Sequence, residues 1–159
     1  LFRRYQKPLY VYAFELVHDE QASLDIVQET FIAATRHLDT LRDDAKFGSW
    51  LFGIAHQKCL QRWRKQDREA LALAELAATP DEFETDPGEL LLRREQEAEF
   101  MNLLNQLPLA QRSVLLLHFI EDFPLEEIAD IAATPLGTVK SRLHYAKRAL
   151  GKMLKEKAT

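Results

Sequence analysis

The chain has 159 residues, 47% of them apolar and 29% charged, with one Cys and a formal net charge of −4. That is the composition of a globular chain of one domain or two small ones; it excludes a disordered protein, a disulfide framework, the common zinc spacings and a bilayer-spanning helix, which needs ~20 apolar residues in a row. The lone Cys and the lack of a signal-peptide pattern lead us to expect a cytoplasmic protein with no direct membrane insertion, and Leu1 in place of Met leads us to expect that the natural chain starts upstream.

Helical spacing dominates and no period-two run is long, so the expected fold class is all-α. A first helix is read over Arg3–Val17. Asp19 or Ser23 caps a second, running to Leu38 with an apolar stripe of Leu24, Val27, Phe31, Ala34 and Leu38. Asp39–Lys46 is a polar loop. A third helix runs from Phe47 to Arg68 with Phe47, Trp50, Leu51 and Ile54 inward, and the Ala-rich stretch Ala70–Ala78 can prolong it. Thr79–Gly88 holds two Pro, one Gly and four acids and reads as a flexible acidic linker. Beyond it, Leu90–Gln106, Leu109–Ile120, Pro124–Ala133 and Thr138–Lys155 are helical by period.

A net charge of −4 taken whole argues against nucleic acid, whose binders usually carry a basic footprint. Its distribution argues otherwise. Residues 71–95 carry seven acids against two bases, and residues 96–135 seven acids against a single Arg. Residues 136–159 carry seven bases and one acid, and residues 56–68 hold Lys58, Arg62, Arg64, Lys65 and Arg68 against Asp67. Two short basic segments therefore sit in an acidic chain.

The second basic segment belongs to a helix-turn-helix. In PLEEIADIAATPLGTVKSRLHYAKRAL (124–150) a short helix with Ile128, Ala129 and Ile131 is followed by a break at Ala133–Gly137 and a longer helix that Thr138 is placed to cap. At about 100° per residue, Val139, Leu143, Ala146, Leu150, Met153 and Leu154 share one face. Ser141, His144, Tyr145, Arg148 and Lys152 lie opposite, with Lys140, Arg142 and Lys147 flanking. One face packs and the other offers donors and charge, as a helix entering the major groove requires.

Three strings carry a resemblance. DIVQETF (25–31), FGSWLFGIAHQKCLQRWRK (47–65) and LPLAQRSVLLLHFIEDFPLEEIADIAATPLGTVKSRLHYAKRAL (107–150) resemble, in order, conserved segments of bacterial RNA polymerase sigma factors of the extracytoplasmic-function (ECF) class. The resemblance implies a transcription initiation factor of two small helical domains: region 2 over 1–70, a linker over 71–94 and region 4 over 95–159. It implies core RNA polymerase as partner, through the β′ clamp and the β flap, promoter DNA, and an anti-sigma factor. Carried over by position, polymerase binding falls on Asp25, Gln28 and Glu29, which lie off the apolar stripe and are expected to be exposed and free to pair. The −10 element, read as single strand, falls on Arg42 and Lys46 of the loop and on His56, Gln57, Lys58, Gln61, Arg62, Trp63, Arg64 and Lys65, while Trp50 is expected in the core. The −35 duplex falls on Thr138, Lys140, Ser141, Arg142, His144, Tyr145 and Arg148, with Lys147 and Lys152 on phosphate.

The chain departs from the family pattern at four places. Ala133 stands where Gly is usual in the turn and implies strain of about 1 kcal/mol or more. Tyr145 stands where a base is common, Phe123–Pro124 replaces a Leu-Ser capping pair, and Gly48 weakens the start of the third helix. Catalysis is not expected: no carboxylates oppose each other, no Gly-rich phosphate cradle exists, and His56 with Cys59 lacks further metal ligands. No cofactor is expected. Two other readings compete: a dimeric helix-turn-helix regulator acting without polymerase, and a protein-interaction module whose acidic and basic faces complement each other.

Overall fold

The computed structural model describes residues 2–76 and 92–158, with side chains described over 2–66 and 99–156. Helix α1 spans Phe2–Val17, α2 Glu20–Arg36 and α3 Phe47–Leu76. Two 3-10 turns, Leu38–Thr40 and Asp44–Lys46, form the loop between α2 and α3. Then come α4 (Leu92–Asn105), α5 (Leu109–Leu115) continued by a π-helical turn over Leu116–Ile120, α6 (Leu125–Ala132) and α7 (Leu136–Ala158). No strand occurs among the described residues, so the fold is all-α as expected. The expected linker Thr79–Gly88 lies outside the described residues.

Helices α1, α2 and α3 pack on one another around Leu9, Tyr12, Leu16, Ile26, Leu51 and Phe52. Asp19 caps α2, its carboxylate accepting from the Ala22 N–H at 3.0 Å. The inward face of α2 is rotated from the expected stripe. Ser23, Ile26, Val27, Thr30 and Ala34 point in, while Leu24 and Leu38 stand 45% and 50% exposed. The cause is helical back-bonding: the Ser23 and Thr30 hydroxyls donate to the Asp19 and Ile26 carbonyls at 2.7 and 2.6 Å, so both enter the core with no unmet donor. Along α3, Phe47 and Leu51 are buried as expected and Trp50 and Ile54 half-buried, joined by Phe52, Ala55 and Cys59.

The C-terminal helices build around Val114, Leu117, Ile128, Val139, Leu143 and Ala146. The single helix expected over Leu109–Ile120 widens after Leu115: the Glu121 N–H reaches back to the Leu116 carbonyl at 3.1 Å and the Phe123 N–H to Leu117 at 3.0 Å. Helix α7 starts two residues before Thr138, which corrects the expected cap. The Pro135 carbonyl accepts from Thr138 and Val139 at 3.0 and 3.1 Å; Pro, with a fixed φ and no N–H, serves as the entry. The break between α6 and α7 is a left-handed C-cap at Ala133, φ 50° and ψ 46°, with the Thr134 N–H returning to the Ala129 carbonyl.

The two halves are not apart. α6 packs along α3, and α5 touches α1, so one apolar core runs through both.

Candidate polymerase and nucleic-acid interface

The acidic face of α2 is built by the rotation just described. Gln28 and Glu29 are exposed and Asp25 is half-buried. Asp25 and Glu29 are not free: Asp25 faces Arg62 and Glu29 faces Lys58 on α3, each at 3.9 Å. At that distance and exposure the pairs are screened and worth a few tenths of a kcal/mol at most. They tie the groups assigned to polymerase to groups assigned to DNA.

The basic end of α3 exposes Gln57, Gln61, Arg64 and Lys65 and half-exposes Lys58, Arg62 and Trp63. His56 is a correction. It is 3% exposed, with Nδ1 2.7 Å from the Tyr12 hydroxyl, and burial together with the nearby Arg142 charge lowers its pKa to about 4. A neutral imidazole in the core does not belong to the exposed track. The helical period misassigns it because a His between Ala55 and Gln57 reads as polar surface.

A cleft of about 530 Å³ opens between the loop and the upper part of α3. Arg42 and Lys46 line it, with Ser49, Trp50, Gly53 and Ile54. Those last four are missed by a search for charge, since three are apolar or lack a side chain; the single Gly53 beside Ile54, one turn after Trp50, is the signal that marks them. The far wall is Asp130, Ile131 and Ala133 from α6 and its turn.

On α7, Val139, Leu143 and Ala146 are buried, while Lys140, Ser141, His144, Tyr145, Lys147, Arg148 and Lys152 are exposed. Arg142 and Thr138 are half-buried. His144 and Tyr145 meet edge to face at 5.4 Å, an aromatic step beside Arg148. Lys147 sits 5.2 Å over the Phe119 ring, at the rim of a second cleft of about 500 Å³. That groove is apolar: Phe100, Leu104, Phe119, Ile120, Leu150 and Leu154 line it, and Phe119 and Ile120 are 52% and 49% exposed. Among the described residues no group of three metal-ligating side chains gathers, and no helix is long and apolar enough to cross a membrane.

Comparison with known proteins follows the same division. The Sigma-70 region 2 family matches residues 1–69 and the Sigma-70, region 4 family residues 97–150. The chain is 33% identical to the RNA polymerase sigma-H factor of Pseudomonas aeruginosa, over 97% of this chain and 84% of that one. It is 31% identical to the ECF RNA polymerase sigma factor SigL of Mycobacterium tuberculosis, over 98% and 88%. Among solved structures, the sigma factor RpoE in complex with the anti-sigma factor NepR from Bartonella quintana superposes with a TM-score of 0.72 at 25% identity, covering 94% of this chain and 91% of that one. CnrH in complex with the cytosolic domain of CnrY shares the fold, with a TM-score of 0.69 at 24% identity over 97% and 84%. Two sigma regions in one chain, in this order, decide against a stand-alone dimeric regulator. The chain belongs to the sigma-70 family of RNA polymerase sigma factors, in its extracytoplasmic-function class, and is a transcription initiation factor.

Proposed function

We propose that α2 docks on the β′ clamp of core RNA polymerase through Asp25, Gln28 and Glu29, and that the two basic surfaces address the two promoter elements. Arg42 and Lys46, with Gln57, Lys58, Gln61, Arg62, Trp63, Arg64 and Lys65 of α3, hold the −10 strand. The cleft beside Trp50 supports capture of an unstacked base, because extruding a base costs a few kcal/mol that an aromatic-walled pocket offsets. Lys140, Ser141, Arg142, His144, Tyr145 and Arg148 read the −35 duplex, while Lys147 and Lys152 hold phosphate. The observation that carries this reading is the two-sidedness of α7: buried Val139, Leu143 and Ala146 fix its rotation, so its donors face outward.

The boundaries 1–70, 71–94 and 95–159 serve as region 2, linker and region 4. The groove at Phe119 and Ile120 supports a seat for an apolar helix, and the β flap is our assignment for it. An anti-sigma partner is proposed because RpoE of Bartonella quintana was solved with one. All of this takes place in the cytoplasm, without cofactor or catalysis by this chain.

The test is pulldown of core polymerase followed by initiation from a cognate promoter. Gln28→Ala with Glu29→Lys should abolish pulldown; retained binding would show the clamp assignment to be wrong. Arg142→Ala and Arg148→Ala should weaken −35 discrimination by about 1–3 kcal/mol per lost base contact, each in holoenzyme.

A further inference from the structure

The turn that leads into α3 is built as one piece. The Lys46 N–H donates to the Asp43 carbonyl at 2.9 Å, and the Asp43 carboxylate accepts from the Ala45 N–H at 3.0 Å. The Phe47 N–H donates to the Asp44 carbonyl, and the buried Ser49 hydroxyl donates back to the Lys46 carbonyl at 3.1 Å. Residues 43–49 thus form one hydrogen-bonded unit. It carries Lys46 and Ser49, with Trp50 next in the chain, and all three line the cleft assigned to the −10 strand.

This unit is tied to the bundle by α1. Phe47 is buried and meets the ring of Tyr5 edge to face at 5.5 Å, while its own ring lies 5.8 Å from that of Trp50. Tyr5, half-buried, also lies over Gly48. A Cβ placed on Gly48 would stand 3.1 Å from the Tyr5 hydroxyl oxygen, 3.4 Å from Cε1 and 3.6 Å from Cζ. The first approach is too close for comfort; the other two are ordinary contact.

Glycine costs a helix stability that alanine would keep, so its use at position 48 calls for a reason. The reason is room: only without a side chain there can the Tyr5 hydroxyl seat itself against the first turn of α3. Neither Tyr5 nor Gly48 lines the cleft, so neither acts on a strand directly. A shift of the first turn is nevertheless passed on to Trp50 and Lys46, because packed interiors transmit strain, and a misplacement of a fraction of an ångström weakens well-oriented contacts.

We propose that Tyr5 is a positioning residue for capture of the −10 strand: its ring fills the space left by Gly48 and sets the angle at which α3 leaves the loop, and with it the places of Lys46 and Trp50. The inference rests on the −10 assignment made above.

The test is binding of a labelled −10 single strand by holoenzyme, with core polymerase pulldown and urea unfolding of the same variants in parallel. Gly48→Ala should weaken strand binding about fivefold. Pulldown should be retained, and the urea midpoint should hold or rise, since alanine favours the helix. Gly48→Val, larger at the same place, should weaken strand binding further. Gly48→Ala combined with Tyr5→Phe should return to within about twofold of wild type, because with the oxygen gone the new methyl meets only ring carbons at 3.4 and 3.6 Å. Recovery of strand binding by deleting one atom on a helix assigned no DNA contact is a result that general loosening of the fold does not give. Unchanged strand binding in both Gly48 variants overturns the proposal. So does a loss in Gly48→Ala that comes with a lowered urea midpoint, or that Tyr5→Phe fails to recover. Arg42→Ala with Lys46→Ala separates the two readings: where that pair weakens strand binding, failure falls on Tyr5 alone; where it does not, the −10 assignment falls first.

Discussion

Tyr12 on α1 and His56 on α3 are joined by a hydrogen bond of 2.7 Å in the core. Burial raises the phenol pKa well above its usual 10 and lowers the imidazole to about 4, so both are neutral and the bond joins an uncharged hydroxyl to an uncharged ring nitrogen. Tyr12→Phe leaves that nitrogen buried without its partner and should cost about 1–3 kcal/mol in urea unfolding, with the helical signal unchanged.

The same pair makes stability depend on pH. Unfolded, His56 takes a proton near pH 6.5; folded, it resists until about 4. The unfolded chain therefore binds more protons across that interval, and stability present above 6.5 is lost as pH falls towards 4, by roughly 3 kcal/mol. Glu15 and Glu121, whose pKa values are raised by burial, act in the opposite direction. Comparison of wild type with His56→Gln at pH 7 and pH 4.5 isolates the imidazole: the variant should lose much less on acidification. An equal loss would refute the assignment.

Ala133 holds φ 50°, a conformation that costs a residue with a Cβ about 1–2 kcal/mol. Ala133→Gly removes that strain and adds unfolded-chain entropy worth about 0.4–1 kcal/mol in the other direction. A net gain of about 0.5 kcal/mol is expected, seen as a rise in Tm of about 1–2 °C. A fall in Tm would mean that the turn carries no strain.

Phe119 and Ile120 expose half their surface, so their polar replacement costs little folding energy. Phe119→Ser with Ile120→Ser should leave unfolding within about 1 kcal/mol of wild type while lowering initiation from −35-dependent promoters about tenfold. Unchanged transcription would remove the groove from the polymerase contact.

Burial pushes the Cys59 thiol up to about 12. Alkylation by iodoacetamide at pH 8 should thus be negligible in the folded chain and quick in urea, since only the thiolate attacks. Prompt labelling without denaturant would contradict the packing of α3.

Much of this was legible in the residues. Helix order, the Asp19 cap, the packed and exposed faces of α7 and the strain at Ala133 follow from period, cap chemistry and the missing Gly. The inward turn of Ser23 and Thr30 was not, because their hydroxyls satisfy themselves on the backbone of their own helix, which polarity alone conceals. His56 failed for a related reason: its partner Tyr12 lies 44 residues away. Arg112 stood out as a lone base in an acidic stretch, yet its ligand is a main-chain carbonyl, to which a sequence gives no pointer. The groups expected on polymerase and on DNA lie on different helices, and nothing in the string shows that Asp25 and Glu29 face Arg62 and Lys58.

The π turn over Leu116–Ile120 fits one residue more into a helical turn than an α-helix holds. Leu115 just before it and Leu116 and Leu117 at its start are buried; at its end Phe119 and Ile120 turn outward, and Phe123 is delivered to Phe52. Removing one residue here would restore the α period and swing everything downstream by about 100°. The apolar groove and the Phe52 contact would be lost together, although neither shares a side chain with the other. Length between Leu115 and Pro124 is therefore a determinant in its own right. A relative one residue shorter in this interval would have to build both surfaces from different residues, however closely the rest of its sequence agreed.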